Sequence, residues 1–476
     1  MNINLIKNTG IYFITNLLSQ GAVFIFWIIA ANVLPPSQVG IYALVIFIVN
    51  LFSTLAILGL DSTITRFYHS EEKIEEVFYS ALTIFFVAAI FSLAVLFFTA
   101  PFISKAIPNI DSFLGKDIFL FYALIITVSL YNLALVHYAA LRDTLSYAKV
   151  SLIQTILFFV LALALLFLNF KILGVLYALL FSYLGSGLIF LLKEFRLSYF
   201  KNFVSKKTIK SLLSYGLPMA LTATLGIVAS YIGSLLLNKY TTLSILGIYS
   251  FFLAIAMQIN ALWATFNRAW TPNIFASLSE NKVLALEQVK TMAFFSSFFY
   301  LLFFVIFIIF VRLGGLTFFL RPEYLSNIGI FYILLMGTVF NGVYTAAYPL
   351  YYYQKKTHVI LFLSIALNII NIALTFLLVK PFGQTGAALS YFLFSFISVF
   401  AYLFIFKKRA QIPIEIITWS VFLFCLMSLG VLSYLYTSST ALLIAIVSLG
   451  ILFSYKRGKI KENIGSVLNS LRYKLL

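Results

Sequence analysis

Charge is scarce in this sequence of 476 residues. Only 10% of the residues are Asp, Glu, Lys or Arg, and 63% are hydrophobic. Soluble globular domains carry about 25% charged and about 45–50% apolar residues. The composition therefore excludes a soluble enzyme, a disordered chain and a nucleic-acid-binding domain. It predicts a protein that meets lipid over most of its surface.

Cysteine and histidine are also rare. The single cysteine, Cys425, cannot form an intrachain disulfide or a thiolate metal cluster. The three histidines, His69, His137 and His358, are far apart and lack metal-ligand spacing. We therefore expect no metal site and no cofactor. No phosphate-binding loop of the form Gly-x-x-x-x-Gly-Lys occurs either, which argues against ATP-driven transport by this chain.

Long apolar runs are abundant. A membrane-spanning helix needs about 20 mostly apolar residues, and fourteen such runs predict an all-α polytopic membrane protein. Their approximate bounds are 9–33, 39–60, 77–100, 118–141, 148–168, 172–192, 213–237, 243–265, 291–311, 328–351, 358–379, 384–406, 413–434 and 438–455. Asn169–Lys171 separates the fifth span from the sixth.

The distribution of basic residues predicts the orientation of these spans. With a cytoplasmic N-terminus, 25 of the 32 Lys and Arg residues fall on the cytoplasmic side and 7 on the outer side. This asymmetry follows the positive-inside rule. It indicates an even number of spans with both termini in the cytoplasm, and the short loops leave no room for an extramembrane domain.

An internal repeat of about 210 residues divides the chain. The matching pairs are Gly40–Tyr42 with Gly247–Tyr249 (both Gly-Ile-Tyr), Gly10 with Gly216, Leu141–Thr144 with Gln354–Thr357, and Gly174 with Gly386. The repeat predicts two parallel six-helix halves, 1–205 and 206–409, followed by two extra helices and a basic tail in 410–476. Parallel repeats are typical of secondary transporters, in which the substrate path lies between the halves.

Several short motifs carry a family resemblance. They are Pro35–Tyr42, Leu58–Leu60 with Thr65–Tyr68, Tyr215–Pro218, Gln354–Thr357 and Gly383–Ala388. With them the chain resembles the Wzx-type O-antigen flippase branch of the multidrug/oligosaccharidyl-lipid/polysaccharide superfamily. The resemblance implies translocation of an undecaprenyl-pyrophosphate-linked oligosaccharide from the inner to the outer leaflet of a bacterial inner membrane. It also implies other polysaccharide-assembly proteins as membrane partners, and the basic tail suits anionic lipids.

Charged residues at the cytoplasmic ends of the spans are candidates for binding a pyrophosphate. The cationic candidates are Arg66, Arg142, Arg268 and Lys355, because Arg offers forked donors to phosphate and Lys a point charge. Asp61 and His137 are candidates for ion coupling. The alternative for each cation is a topology signal or an interfacial anchor.

Polar side chains within the spans are candidates for binding sugar. Asn260, Trp263 and Asn267 are spaced as one face of the eighth span, and Asn16 and Gln20 lie in the first span. Together they could offer amides and an aromatic platform in a water-filled path. The alternative is hydrogen bonding between helices, worth about 0.6 kcal/mol on average in membranes.

Two other functions compete with the flippase interpretation. A drug-cation antiporter of the same fold predicts a carboxylate within a span of the first half, yet all 14 acidic residues lie in loops or at span ends. A membrane-bound polymerase or glycosyltransferase predicts a large outer loop or an acidic pair after the first span, and neither occurs. The sequence leaves proton, sodium and gradient-driven transport open.

Overall fold

The computed structural model describes residues 3–68, 73–110, 117–196, 203–280, 319–345 and 357–410, with short pieces at 115 and between 287 and 306. Within this part the chain forms α-helices joined by short turns. They are α1 (Ile3–Val33), α2 (Pro36–Ile57), α3 (Leu60–Phe67), α4 (Ile74–Ala106), α5 (Ile118–Ala140), α6 (Thr144–Phe167), α7 (Lys171–Glu194), α8 (Lys206–Tyr240), α9 (Leu243–Glu280), α10 (Pro322–Leu325), α11 (Gly329–Thr345) and α12 (Thr357–Ala410).

Local sequence explains several of the helix ends. Pro36 lies in the first turn of α2, where its missing amide leaves no hydrogen bond unmade. Leu58 and Gly59 end α2 in left-handed conformations, with φ of 50° and 75°. Asp143 precedes α6, and its carboxylate accepts a hydrogen bond from the Ser146 amide at 3.0 Å, which satisfies one of the free amides of the first turn.

Nine helical segments in the described part are long and apolar enough to cross a membrane. They coincide with predicted spans 1 to 8 and with the region of spans 11 and 12. The predicted all-α, multi-pass architecture is confirmed. Large apolar side chains cover the outer faces of these helices: Phe98 is 72% exposed and Leu192 is 84% exposed, as contact with lipid requires.

Backbone breaks mark two of the predicted boundaries. Asn169 and Lys171 have φ of 64° and 55° between α6 and α7, so the split of 148–192 into two spans is confirmed. Gly383, two residues after Pro381, has a non-helical backbone with φ 53° and ψ −130° and divides α12 into two helical arms. This break falls between predicted spans 11 and 12. Spans 13 and 14 and most of span 9 lie outside the described residues, and the total of fourteen stays a prediction.

The chain divides into two compact units. The first contains Met1–Trp270, Phe319–Leu334 and Lys356–Phe394, and the second contains Thr271–Phe318, Leu335–Lys355 and Ser395–Leu476. In the first unit, α6 packs along α7 and α1, and α2 packs against α4, α5 and α8. In the second unit, the Phe396 ring lies 5.5 Å from Phe340 and 4.6 Å from Phe400. The repeat boundaries at 205 and 409 stay a prediction.

Glycines in the first unit bring helix backbones into direct contact. A Cβ added at Gly40 would collide with the carbonyl oxygen of Leu243, and one added at Gly247 would collide with that of Pro36. The two contacts are reciprocal, because Gly247 follows Gly40 by 207 residues and Leu243 follows Pro36 by the same 207. A two-fold axis between the two Gly-Ile-Tyr segments produces this pattern.

The other end of α2 is held in the same way. Gly59 lies against the backbone of Gly216 in α8, and a Cβ on Gly216 would lie 2.8 Å from the carbonyl oxygen of Leu58. Gly59 also has a φ of 75°, a conformation that residues with a side chain rarely adopt. Backbone contacts therefore position α2 at both of its ends.

Replacing Gly247 with Ala is expected to destabilise the protein. The new methyl group must displace the backbone at Pro36, and overpacking of this kind costs about 1–3 kcal/mol. The midpoint of thermal unfolding of the detergent-purified protein should fall. The control is Gly226→Ala in α8, where nothing lies within 4 Å of an added Cβ. Equal midpoints for the two variants would show that the Gly40–Gly247 contact does not constrain the fold.

Candidate functional site

A cavity of about 600 Å³ lies in the first unit, bounded by α1, α2, α8, α9 and α12. Its aromatic lining consists of Trp27, Tyr42, Tyr231, Tyr249, Phe251, Tyr391 and Phe394. Its polar lining consists of Ser230, Ser234, Ser250, Gln258, Asn368, Asn371, Thr375 and Ser390. Among the described lining residues there is no Asp, Glu, Lys, Arg or His. The size and the lining are those of a site for an uncharged, partly polar ligand.

The repeated motif supplies two of the aromatic side chains. Tyr42 and Tyr249 are the third residues of the two Gly-Ile-Tyr segments, and both line the cavity. Trp27 packs edge-on against Tyr42, with ring centroids 4.8 Å apart. Sequence reasoning used Gly-Ile-Tyr as a marker of the repeat and missed its tyrosines as cavity residues.

Tyr231 is held in place from α2. The Asn50 Nδ2 donates a hydrogen bond to the Tyr231 hydroxyl at 3.0 Å, and the Phe47 ring lies 5.4 Å from the Tyr231 ring. Hydrogen bonding and ring packing from one helix thus orient a cavity side chain of another, α8. A side chain positioned in this way can contact a ligand without first losing conformational freedom.

Some polar groups of the lining satisfy one another. The Asn371 Nδ2 donates to the carbonyl oxygen of Ala229 at 2.9 Å, and the Thr375 hydroxyl donates to the carbonyl of Asn371 at 2.7 Å. The hydroxyls of Thr375 and Ser390 lie 3.1 Å apart. These bonds link α8 to the two arms of α12. The polar side chains of Asn371, Thr375 and Ser390 therefore already have hydrogen-bond partners within the protein.

Other polar groups of the lining lack a partner. The Gln258 Oε1 and the Ser250 Oγ are buried and have no hydrogen-bond partner among the described residues. Buried polar atoms in native proteins are nearly all hydrogen-bonded, so an exception calls for a ligand or a water molecule. Both side chains line the cavity, where a hydroxyl-bearing ligand could bond to them.

Arg66 lies at the predicted cytoplasmic end of α3. Its guanidinium carbon is 4.5 Å from the centre of the Tyr215 ring and 5.9 Å from that of Phe67. The side chain is exposed and makes no ion pair with a described residue. Stacking on an aromatic face positions the guanidinium while leaving its N–H groups available to an anion.

The other predicted site residues are not brought together by the described part of the structure. Asn16 donates to the carbonyl of Tyr12 in its own helix at 2.9 Å, and neither Asn16 nor Gln20 belongs to the cavity lining. Asn260 and Trp263 lie on α9 beyond the lining residues, and Trp263 is buried.

The remaining charged candidates divide into two groups. Asp61 and Arg142 are exposed at helix ends, and Arg142 has a left-handed backbone with φ 60°. Asn267 and Arg268 lie in α9, with side chains outside the described part, and Lys355 lies wholly outside it. Their predicted roles stay predictions.

Four ionisable residues, named here the inner cluster, meet at the predicted cytoplasmic ends of α5, α6 and α7: His137, Asp143, Lys193 and Glu194. The Lys193 Nζ lies 3.3 Å from Glu194 Oε1 and 3.8 Å from Asp143 Oδ2, and it donates to the Ser146 hydroxyl at 2.7 Å. Sequence reasoning singled out His137 but not Glu194, because nothing in the sequence pairs residues 57 positions apart.

Comparison with known proteins gives the family. The sequence model for polysaccharide biosynthesis proteins matches residues 5–278. The chain belongs to this family. The match covers more than half of the polypeptide and confirms, at the level of the family, the resemblance read from the motifs. No curated protein matches the chain.

Solved structures share the fold of this chain. The lipid II flippase MurJ, in an inward closed conformation, is 15% identical with a TM-score of 0.69, covering 94% of this chain and 99% of that one. An inward-facing multidrug resistance MATE transporter of the MOP superfamily is 13% identical with a TM-score of 0.60, covering 85% and 98%. The MATE multidrug transporter DinF-BH is 17% identical with a TM-score of 0.60, covering 87% and 96%. These likenesses establish the fold.

Asp143 is expected to contribute stability that depends on pH. Burial raises the pKa of its carboxyl, but hydrogen bonds from Ser146 and the charge of Lys193 outweigh burial, and the pKa lies below its usual value. The ionised form is therefore favoured in the folded state. Its contribution is complete above the unfolded value of about 3.9 and is lost as the pH falls through the lower folded value.

The measurement is the difference in thermal unfolding midpoint between the wild type and Asp143→Asn. This difference should be complete at about pH 6 and shrink towards about pH 3. Asp61→Asn is the control, since the Asp61 carboxylate is exposed and makes no hydrogen bond with a described residue. A difference for Asp143→Asn that did not change with pH would contradict the assigned hydrogen bonds.

Proposed function

We propose that this chain is a flippase for a lipid-linked oligosaccharide. The substrate is an undecaprenyl-pyrophosphate-linked repeat unit of a surface polysaccharide such as O-antigen, moved from the inner to the outer leaflet of the bacterial inner membrane. The observation that carries the proposal is the cavity, which offers aromatic, amide and hydroxyl groups but no acidic or basic side chain among its described lining. Membership in the polysaccharide biosynthesis protein family supports it.

The chemistry of the cavity suits a sugar chain. Sugar rings present hydroxyl groups at their edges and apolar faces above and below. The unpartnered Gln258 Oε1 and Ser250 Oγ can accept hydrogen bonds from such hydroxyls, while the rings of Trp27, Tyr42 and Tyr231 can pack against the faces. A site built to bond hydroxyls selects strongly for ligands that carry them.

Arg66 supplies the inner binding site for the pyrophosphate in this proposal. A guanidinium binds phosphate through two parallel N–H bonds, and stacking on Tyr215 at 4.5 Å holds it at the predicted cytoplasmic end of α3. Arg142, Arg268 and Lys355 are proposed as further partners of the same anion on the cytoplasmic side.

Transport is proposed to proceed by alternating access between the two halves. Between the proposed halves, Gly40 lies against the backbone of Leu243 and Gly247 against the backbone of Pro36. Because neither glycine has a side chain, the two helices can move apart at these points without disengaging interlocked side chains. The fold shared with the lipid II flippase MurJ is compatible with this mechanism. Anionic lipids and other polysaccharide-assembly proteins are the proposed membrane partners.

Drug-cation antiport is the second candidate function, because MATE transporters share the fold. A bound cation is favoured by a carboxylate in a low-dielectric site. The described lining of the cavity supplies none. The lack of a carboxylate in the described lining favours an oligosaccharide over a cation as the ligand. The following experiment separates the two functions.

Depletion of the protein in its host should leave lipid-linked oligosaccharide on the inner leaflet. The accumulated lipid is measured by mass spectrometry, and surface polysaccharide by its loss from the cell envelope. Re-expression of the chain should reverse both effects. Intact surface polysaccharide without lipid-linked sugar, together with increased sensitivity to cationic dyes, would instead indicate the antiporter.

Arg66→Ala should reduce the recovery of surface polysaccharide several-fold, because the substitution removes the forked donor. Lys149→Ala is the matched control, since Lys149 is also exposed and predicted to be cytoplasmic. Both variants are compared with the wild type at equal membrane levels. Full recovery with Arg66→Ala would remove this residue from the substrate site.

A further inference from the structure

A buried histidine lies at the predicted cytoplasmic end of the first unit. His137 on α5 is only 3% exposed. Its Nδ1 lies 2.7 Å from the Tyr68 hydroxyl, and its Nε2 lies 3.8 Å from Glu194 Oε2. The rings of Phe78 and Phe190 pack against the imidazole at 4.5 and 5.6 Å. The imidazole therefore has polar neighbours at its two nitrogens and apolar neighbours at its faces.

The hydrogen bond between Tyr68 and His137 limits where the imidazole can carry hydrogen. Burial, together with the negative charges of Glu194 and Glu75, raises the pKa of the Tyr68 hydroxyl well above its usual range, so Tyr68 stays protonated. Its hydroxyl can donate to Nδ1 when the imidazole is neutral and carries its hydrogen on Nε2. In that arrangement the Nε2 hydrogen faces the Glu194 carboxylate.

The charges around His137 do not balance while it is neutral. The neighbouring groups are Glu194 and Lys193 on α7, Asp143 before α6, Tyr138 on α5 and Tyr68 after α3, and Glu75 on α4 acts on Tyr68. Within the inner cluster, one ammonium lies within 4 Å of two carboxylates. The cluster therefore carries one net negative charge, and one proton on His137 neutralises it.

Binding this proton requires only a small rearrangement. The proton adds to Nδ1, so that both ring nitrogens donate, Nε2 to Glu194 and Nδ1 to Tyr68. The Tyr68 hydroxyl changes from donor to acceptor and turns its own hydrogen away. Glu194 is 24% exposed and Lys193 52% exposed, so the cluster connects the buried imidazole to solvent.

We propose that His137 is a proton-binding site, with Glu194 as its counter-ion, and that the bound proton couples flipping to a proton gradient. The second part rests on the proposed function, whereas the first does not. Tyr68 comes two residues after Arg66, so a change in the hydrogen bond between His137 and Tyr68 acts on the segment that carries the proposed pyrophosphate site.

NMR of the full-length protein in detergent tests the proton site. The chain has three histidines, so ¹³Cε1-labelled histidine gives three signals, which His69→Gln and His358→Gln assign. The His137 signal should move with pH in one step. In Glu194→Gln the midpoint should fall by about one pH unit, because an opposite charge nearby is lost. In Lys193→Gln it should rise, because a like charge is lost.

The two variants must shift the midpoint in opposite directions. Asp117→Asn, which changes a carboxylate at the opposite end of α5 from His137, should leave the midpoint unchanged. A His137 signal that stays constant from about pH 5 to about pH 8, the window in which histidines titrate, would overturn the proposal. So would a midpoint that is the same in the wild type, Glu194→Gln and Lys193→Gln. Lys193→Gln removes a largely exposed side chain, so it reports even where Glu194→Gln fails to fold.

Coupling is tested in proteoliposomes with a fluorescent polyprenyl-pyrophosphate oligosaccharide as the probe. An imposed pH gradient should accelerate flipping several-fold in the wild type but not in His137→Gln. Equal acceleration in both proteins would overturn the coupling. If the wild type does not flip the probe, the proposed function fails, while the NMR titration still decides the proton site.

Discussion

The backbone contact between the start of α2 and the start of α9 is the constraint on which the rest of the candidate site depends. Gly40 and Gly247 have no Cβ, so the two helices converge where a side chain would hold them apart. Two residues further along each helix, Tyr42 and Tyr249 project into the cavity. Close contact at the glycines and open space beside the tyrosines thus come from the same repeated tripeptide.

The membrane environment explains where the charges are. In lipid an isolated charge is costly, and within the described part the lining of the cavity carries none. Ionisable groups instead meet at the predicted cytoplasmic ends, where water reaches Glu194 and Lys193. His137 is the exception, because it is buried beside these groups and yet retains a hydrogen-bond partner at Nδ1. Within the described part, the ionisable inner cluster is therefore separated in space from the uncharged cavity.

Much of the fold follows from the sequence, and less of the site does. The apolar runs predict the spans, since membrane thickness sets helix length. Asn169–Lys171 predicts a break because polar residues interrupt the run. Hydropathy does not show which helix face meets a cavity, so Asn371 and Tyr231 could not be separated from residues that pack between helices. The pairing of His137 with Glu194 depends on how α5 and α7 lie together, which no local pattern encodes. The break at Gly383 follows from the sequence, because Pro381 and a glycine with a non-helical backbone interrupt the helix between predicted spans 11 and 12.

For the proposed flippase, the absence of charge in the described lining of the cavity also has an electrical consequence. An anionic head group moved past such a surface would carry its own charge through the voltage across the membrane, with no charge of the described lining to screen it. Moving one elementary charge through 100 mV changes its free energy by about 2.3 kcal/mol. Because the cytoplasm is the negative side, an anion that moves outward moves downhill. A fixed cation in the cavity would bind such an anion more tightly and slow its departure, so a lining without charge lets the resting voltage act directly on the substrate.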